Sequence, residues 1–297
     1  TGTIQPSLVN SNVTFVDGVG TLSLQYNDAG QINVTVRDNA NDIEGVMVVE
    51  ARPDKLALCD LSVQNTVKAH NGTSSGGPAF ARAGETFTVR IKPIIYNISE
   101  SNQCNRATTP NFYSTTGHFA LAELNYTLHS PSGGSSGTLT QEGNSYTPNN
   151  IYNFTTTSLA VNGIVASMNW NEVGSINLTA SNSNYDYGEA TGIDSDTVTI
   201  GRFYPYQFEL TNNYIQEGQA VSFTYMDQNF KSEFVVTAQS VDKDSNITTT
   251  TNYGSFAASM LMHLNLVAVD DEKNPAKESK YLKRRLMTRN NVPETKT

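Results

Sequence analysis

Apolar and polar residues alternate with a period of two along several segments of this chain. The pattern is clearest at Thr21–Tyr26, Gln31–Val36, Thr86–Ile91, Leu121–Leu128 and Phe234–Ala238. Such alternation, with Thr and Asn on the wet side, predicts half-buried antiparallel strands. Turn-forming Gly, Pro, Asn and Ser residues are frequent between these segments, which favours β-sandwiches over barrels or doubly wound sheets. We therefore predict an all-β chain of tandem immunoglobulin-like antiparallel sandwich modules.

An internal repeat of about 150 residues organises the chain. The segments that echo each other are Tyr26–Val36 with Trp170–Ala180, Glu85–Val89 with Ser232–Val236, Thr109–Phe112 with Thr250–Tyr253, and Ala51–Pro53 with Gly201–Phe203. The repeat predicts a C-terminal half-unit at 1–50, a complete unit at 51–200 and an N-terminal half-unit at 201–271. The complete unit is long enough for one large sandwich or two small ones.

Charge and hydropathy narrow the class of protein further. A net charge of -9 argues against nucleic acid as the main partner. No apolar run approaches the ~18 residues of a membrane span. The first residues look neither basic nor apolar, so we expect an exported protein whose signal peptide has been removed. Residues 272–297 form a basic tail, either a solvated end or an arm that docks on an acidic surface.

Acidic residues and glycines recur at equivalent turns of the repeat. Asp28 and Glu172 each stand two residues before a glycine, Gly30 and Gly174. A carboxylate in such a position can accept hydrogen bonds from free backbone N–H groups. The glycines supply the positive φ that the turn needs. We interpret these residues as structural.

A second motif surrounds the start of the 201–271 half-unit. Its residues are Gly201, Arg202, Phe203 and Pro205, with Trp170 ahead of the preceding turn. Arg202 stands among aromatic residues, where it could stack on a ring or grip a carboxylate. Core and turn roles explain these residue types as well.

The two cysteines, Cys59 and Cys104, fall within the complete unit. An even count outside the cytoplasm favours one disulfide, and two free buried thiols are the alternative. The four histidines show no metal-ligand spacing, and no nucleophile elbow or phosphate loop follows a strand. We therefore expect no enzymatic activity.

The segment from Asp242 to Asn246 resembles the start of a calcium loop. Asp242, Asp244 and Asn246 would be the ligands, but Ile247 stands where an EF-hand has glycine. A hairpin turn explains the segment better, and Ca²⁺ binding is the weaker alternative.

Residues 170–176 and 200–208 together resemble the conserved β-rich domain of the MshQ family. That family belongs to the biogenesis system of the mannose-sensitive haemagglutinin (MSHA) type IV pilus. The likeness covers about residues 10–270 and departs from the family pattern at Ile200 and Tyr206. It implies a bacterial cell-surface location, and pilus components or further copies of the chain as partners.

Two functions follow as expectations. The first is a structural or adhesive role in a surface appendage, in which the two half-units complete each other within one chain or between copies in a filament. The second is a carbohydrate-binding adhesin, with Tyr185, Tyr187, Tyr204 and Tyr206 as a platform for surface glycans.

Overall fold

A computed structural model describes residues 7–8, 13–113, 120–141, 151–187, 190–216, 231–242 and 244–263. The prediction of an all-β chain is confirmed, since strands dominate these ranges. The helical elements of these ranges are α1, Thr156–Ala160, and three 3₁₀ turns at Gln103–Asn105, Tyr253–Ser255 and Ala258–Met260. Within the described ranges, no helix has the length and apolar character needed to cross a membrane.

The strands are numbered in chain order. They are β1 (Ser7–Leu8), β2 (Phe15–Val16), β3 (Val19–Gly20), β4 (Leu24–Gln25), β5 (Gly30–Asp38), β6 (Ile43–Ala51), β7 (Lys55–Val63), β8 (Thr66–Val67), β9 (Ala81–Arg82), β10 (Phe87–Ile94), β11 (Leu121–Ser130), β12 (Leu139–Gln141), β13 (Ile151–Asn153), β14 (Ile164–Trp170), β15 (Gly174–Tyr187), β16 (Ala190–Tyr204), β17 (Gln207–Gln216), β18 (Lys231–Val241) and β19 (Ile247–Thr249).

Strands β7 to β16 form one β-sandwich, which we call the central sandwich. One layer has the strand order β12-β14-β10-β7, and the other has the order β16-β15-β11-β13. The layers meet at a parallel bridge between Asp194 and Lys55. All other pairings of these eight strands are antiparallel.

The core of the central sandwich lies between its two layers. Alternate residues of β10, such as Phe87 and Val89, are fully buried, and so are Ile176 and Leu178 of β15. The period-two pattern therefore places one apolar row of each strand inside and one polar row outside.

Aromatic rings close one end of this core. Phe203 packs edge-to-face on Phe80, Phe87 and Trp170, with ring centroids 5.4, 5.5 and 5.1 Å away. Edge-to-face pairs contribute about 0.5–1.5 kcal/mol each beyond their buried area. The Trp170 indole N–H donates to the Ser136 carbonyl at 2.8 Å, so its polar edge is also satisfied.

The disulfide lies on the outer side of β7. Cys59 and Cys104 are bonded, with their Cα atoms 5.7 Å apart, and they pack with Ala57 and Ile94 in a small separate cluster. The bond ties the 3₁₀ turn after β10 to β7. It does not join the two layers.

Four smaller sheets of the described residues lie outside the central sandwich. Two of them are short N-terminal pairs, β1 with β4 and β2 with β3, and the other two are larger. Strands β5 and β6 form a two-stranded ribbon, the N-terminal hairpin, in continuous register from Gly30–Ala51 to Asp38–Ile43. Strands β17, β18 and β19 form a three-stranded antiparallel sheet, the C-terminal sheet. By the repeat offsets, β5–β6 corresponds to β15–β16, and β17–β18 corresponds to β7–β10.

Candidate functional site

Glu172 lies in the tight turn between β14 and β15, at one end of the central sandwich. The turn closes through Gly174, whose φ is +120°. A Cβ atom at that position would collide with the Ser130 carbonyl and with Pro131. Both the conformation and the lack of space therefore require glycine there. This fixed turn holds the Glu172 side chain in place.

The Glu172 carboxylate connects the central sandwich to the loop that follows the C-terminal sheet. It accepts hydrogen bonds from the Thr251 N–H at 2.9 Å, the Thr251 hydroxyl at 2.8 Å and the Asn252 N–H at 3.3 Å. It also accepts from the N–H of its own neighbour Val173 at 2.9 Å. The side chain is buried, and these donors replace the water that a carboxylate would otherwise keep.

Asn252 reinforces the same connection from the other side. Its buried side-chain amide donates to the Ser135 carbonyl at 2.9 Å and to the Val173 carbonyl at 3.2 Å. Its oxygen accepts from the Ser135 N–H at 2.7 Å. The amide therefore matches backbone groups of the central sandwich with both its donor and its acceptor.

A small apolar contact surrounds these polar bonds. Val173 and Ala83 of the central sandwich pack against Phe256, which follows the C-terminal sheet. Backbone bonds add to the contact, because the Val241 N–H donates to the Ala83 carbonyl at 3.2 Å. Gly84 sits so close to the Val241 carbonyl that a Cβ atom would overlap it.

Asp28 makes the equivalent connection one repeat earlier. Its Oδ1 accepts from the Ala29 N–H at 2.8 Å and from the Asn111 N–H at 2.9 Å. Ala29 inserts into the core of the central sandwich, as Val173 does into the next contact. Gly30 follows with a φ of +128°.

The two acidic residues differ in how completely they are satisfied. Asp28 Oδ2 is buried without a hydrogen-bond partner among the described residues, whereas both oxygens of Glu172 accept bonds. Burial raises the pKa of Asp28, although its backbone bonds to Asn111 and Ala29 act in the opposite direction.

The loops that receive the carboxylates are also alike. Thr109 donates its N–H and its hydroxyl to the Pro93 carbonyl, at 2.9 and 3.3 Å. Thr250 donates the same two groups to the Ala238 carbonyl, at 2.9 and 3.1 Å. We call residues 109–112 and 250–253 the receiving loops, and each acidic residue with its receiving loop a carboxylate clasp.

Both halves of each clasp are visible in the sequence as echoed segments, but the sequence does not show that they join. Asn111 follows Asp28 by 83 residues, and the equivalent Asn252 follows Glu172 by 80. Any two segments of a repeat keep a near-constant separation, so this spacing does not by itself indicate contact.

The residues of the second predicted motif lie in two different environments. Some are in the core, and Arg202 contacts a residue that follows the C-terminal sheet. Phe203 belongs to the core, and Gly201 and Pro205 are buried. The Arg202 guanidinium donates to the Met260 sulfur, and among described side chains it forms neither an ion pair nor a ring stack. The guanidinium that does lie over a ring is that of Arg82, 5.7 Å from the centre of Tyr206.

The candidate calcium loop is a turn held by its own backbone. Asp242 Oδ1 accepts from the N–H groups of Asp244 at 2.9 Å and Asn246 at 2.8 Å. Its Oδ2 accepts from the Asn246 side-chain amide at 2.9 Å. Across the ranges that the structure describes, no group of three or more His, Cys, Asp or Glu residues could hold a metal ion.

Of the candidate glycan platform, Tyr204 is half-buried and Tyr206 is exposed. The side chains of Tyr185 and Tyr187 lie outside the described part of the molecule, and so does the basic tail at 272–297.

Fold and site together define an all-β protein in which buried carboxylates at two turns bond to loops about 80 residues further along the chain. Two family models match it: the second domain of DUF6701 over residues 52–163 and its third domain over residues 172–295. Together they cover most of the chain, which belongs to the DUF6701 family. The match to the third domain starts at Glu172, the clasp residue, and therefore includes strands β15 and β16 of the central sandwich. No curated protein and no solved structure matches the chain.

Proposed function

We propose that this chain is a non-enzymatic structural segment of a bacterial surface protein, in which tandem sandwich modules are held in a fixed relative orientation. The observation that carries the proposal is the recurrence of the carboxylate clasp at Asp28 and at Glu172. A flexible linker would leave its polar groups to water. A buried bond that recurs between successive units instead supports an array whose units keep a fixed relative orientation.

Other features support a place outside the cell. The bond between Cys59 and Cys104 suits an oxidising compartment. The low charged fraction of 16% and the polar rows of Thr and Asn fit exposed sandwich faces. The resemblance to the MshQ family extends the proposal to an immunoglobulin-like component of an MSHA-type pilus system.

Rigidity can be tested by NMR relaxation on the 1–297 chain. If the clasp fixes the units, amides of the central sandwich and of the C-terminal sheet report one common rotational correlation time. Glu172→Ala should give the C-terminal sheet a shorter correlation time of its own. Independent tumbling in the unsubstituted chain would refute the structural role.

The location is tested separately by labelling intact cells that express the protein with an antibody against the central sandwich. Surface labelling is expected. Signal that appears only after the cells are permeabilised would refute the surface assignment.

A further inference from the structure

A surface pocket of about 390 Å³ opens beside the disulfide of the central sandwich. Two stretches of chain line it, Leu58–Leu61 of β7 and Val67–Asn71, together with Cys104. Both halves of the disulfide, Cys59 and Cys104, are therefore part of the pocket wall. A pocket of this volume admits a small organic molecule.

The pocket exists because strands β7 and β16 diverge beyond a single parallel bridge. The segment 67–71 runs across the gap between them. At one end the Lys68 N–H donates to the Leu61 carbonyl at 3.0 Å, and at the other the Gly201 N–H donates to the His70 carbonyl at 2.8 Å. Bonds to both strands hold the segment in place, so the pocket is a fixed part of the fold.

The two sulfurs differ in how accessible they are. Cys59 is 2% exposed, whereas Cys104, on the 3₁₀ turn after β10, is only half-buried. Exchange between a thiol and a disulfide begins when a thiolate attacks one of the sulfurs, and its rate depends on access to that sulfur. Access favours attack at Cys104.

Charge in the pocket favours a thiolate. Asp60 and Lys68 both line it. The Asp60 carboxylate is engaged by the Arg90 guanidinium at 2.8 Å, whereas Lys68 forms no ion pair with any described side chain. An unpaired ammonium attracts an incoming thiolate and stabilises the thiolate that leaves.

His70 adds a group that can accept a proton. Its Nδ1 lies 2.8 Å from the Thr199 carbonyl oxygen, which can only accept, so the bond assigns the proton to Nδ1. Nε2 is then the unprotonated nitrogen of the neutral ring. A base in the pocket can take the proton from a thiol and so generate the attacking thiolate.

We propose that the Cys59–Cys104 disulfide is a thiol-exchange site, which low-molecular-weight thiols reach through this pocket while the protein stays folded. An incoming thiolate attacks Cys104 Sγ, a mixed disulfide forms, and Cys59 Sγ leaves as a thiolate that takes up a proton. A second thiol attacks the mixed disulfide and releases the external disulfide. The protein gains two electrons and two protons, and the two small thiols are oxidised by the same amount.

Other bonds hold the Cys104 turn when the disulfide is broken. The Lys92 ammonium donates to the Cys104 carbonyl at 2.6 Å, and the Asn102 side chain accepts from the Cys104 N–H at 3.0 Å. The Arg106 guanidinium is paired with Asp54 at 2.9 Å. Exchange therefore requires no prior unfolding of this region.

The test measures how fast dithiothreitol reduces the folded 1–297 chain, with new thiols trapped by N-ethylmaleimide and counted by intact mass. Val67→Trp narrows the pocket from the short edge strand β8. Its control is Ile151→Trp, which places the same ring on β13, a short edge strand of the other layer. Lys68→Gln removes the charge, and its control is Lys55→Gln, at the start of β7 and outside the lining.

We expect a reduction rate that is proportional to the dithiothreitol concentration and nearly independent of urea below the unfolding transition. Val67→Trp should slow the reaction roughly tenfold, because access limits exchange. Lys68→Gln should slow it roughly twofold to fivefold at low salt, and less at high salt. Both controls should react like the unsubstituted chain. With glutathione in place of dithiothreitol, peptide mapping should find the mixed disulfide at Cys104.

Three results would overturn the inference. One is a rate that rises about fivefold or more per molar urea, because reduction would then require global unfolding. The others are equal rates in the Val67→Trp and Ile151→Trp chains, or glutathione attached mainly to Cys59. Loss of stability in a variant cannot imitate the expected result, since it would speed reduction rather than slow it.

Discussion

Glu172→Ala removes the acceptor at the centre of one carboxylate clasp, and its cost can be worked from the contacts. The substitution deletes four bonds, from the Thr251 N–H, the Thr251 hydroxyl, the Asn252 N–H and the Val173 N–H. A bond to a charged acceptor contributes about 1.5–3 kcal/mol to stability. Thr251 is exposed and can bond to water instead, whereas Asn252 and Val173 are buried and cannot. The expected loss is about 3 kcal/mol in all, at about 1.5 kcal/mol for each of the two buried N–H groups left without an acceptor.

The chain has a built-in reporter for this loss. Trp170 is its single tryptophan, two residues before Glu172, and its indole N–H is bonded to Ser136 next to the Asn252 contact. Urea unfolding followed by tryptophan fluorescence should show the reduced free energy of unfolding. A thermal scan should show a midpoint lower by about 6–12 °C, at about 2–4 °C per kcal/mol for a domain of this size.

Asp194→Ala is the matched control, because it removes a carboxylate whose ion pair with Arg52 is on the surface. Its cost should stay below about 1 kcal/mol. Glu172→Gln keeps one acceptor oxygen and should fall between the two. Hydrogen exchange at the Thr251 and Asn252 amides should accelerate in the Glu172→Ala chain. If Glu172→Ala is no more costly than Asp194→Ala, or if those amides keep their protection, the clasp does not hold the units together.

Three further predictions follow from the same contacts. Asp28→Asn should leave stability at pH 7 unchanged or raise it, because an amide still accepts both N–H groups. Burial raises the pKa of Asp28 in the folded chain, so the folded state binds more protons than the unfolded one just above pH 4. Stability should therefore fall there as pH rises, and Asp28→Asn should abolish that slope in urea titrations at several pH values. Replacing Cys59 and Cys104 by alanine should cost about 4 kcal/mol by calorimetry for a separation of 45 residues; no change would refute a structural disulfide. Gly84→Ala should cost over ~2 kcal/mol, since its Cβ would overlap the Val241 carbonyl, whereas Gly133→Ala, also at positive φ but in open space, should cost about 1; equal costs would refute the close approach.

The strands were the predictable part of this molecule. In β10, β11 and β15 one face of the strand meets the core, so apolar residues recur at every second position. This alternation of apolar and polar residues can be recognised in the sequence. The turn glycines were equally visible. Gly174, for example, closes a tight turn at positive φ, which few residue types other than glycine tolerate.

The clasp could not be derived in the same way. Two of the three bonds that Glu172 accepts from residues 251 and 252 come from backbone N–H groups, which leave no residue-type signature, and the third comes from the hydroxyl of Thr251, a residue type that recurs along the whole chain. Arg202 shows the converse limit: its neighbours in sequence suggested aromatic stacking, but the fold brings it to Met260, 58 residues away. The alternation of residues along a segment determines whether that segment forms a strand. Contacts between residues 58 or more positions apart depend on how the sheets pack against each other.

In the proposed array each clasp joins a unit to the next one along the chain, so we expect the array to behave thermodynamically as a one-dimensional lattice with nearest-neighbour coupling. An interior unit is held at both ends, and a terminal unit at one. If each junction contributes a coupling free energy of about 3 kcal/mol, unfolding should start at the terminal units and proceed toward the interior ones. A longer array would then gain resistance to unfolding by moving most of its units away from an end, without any change in the units themselves.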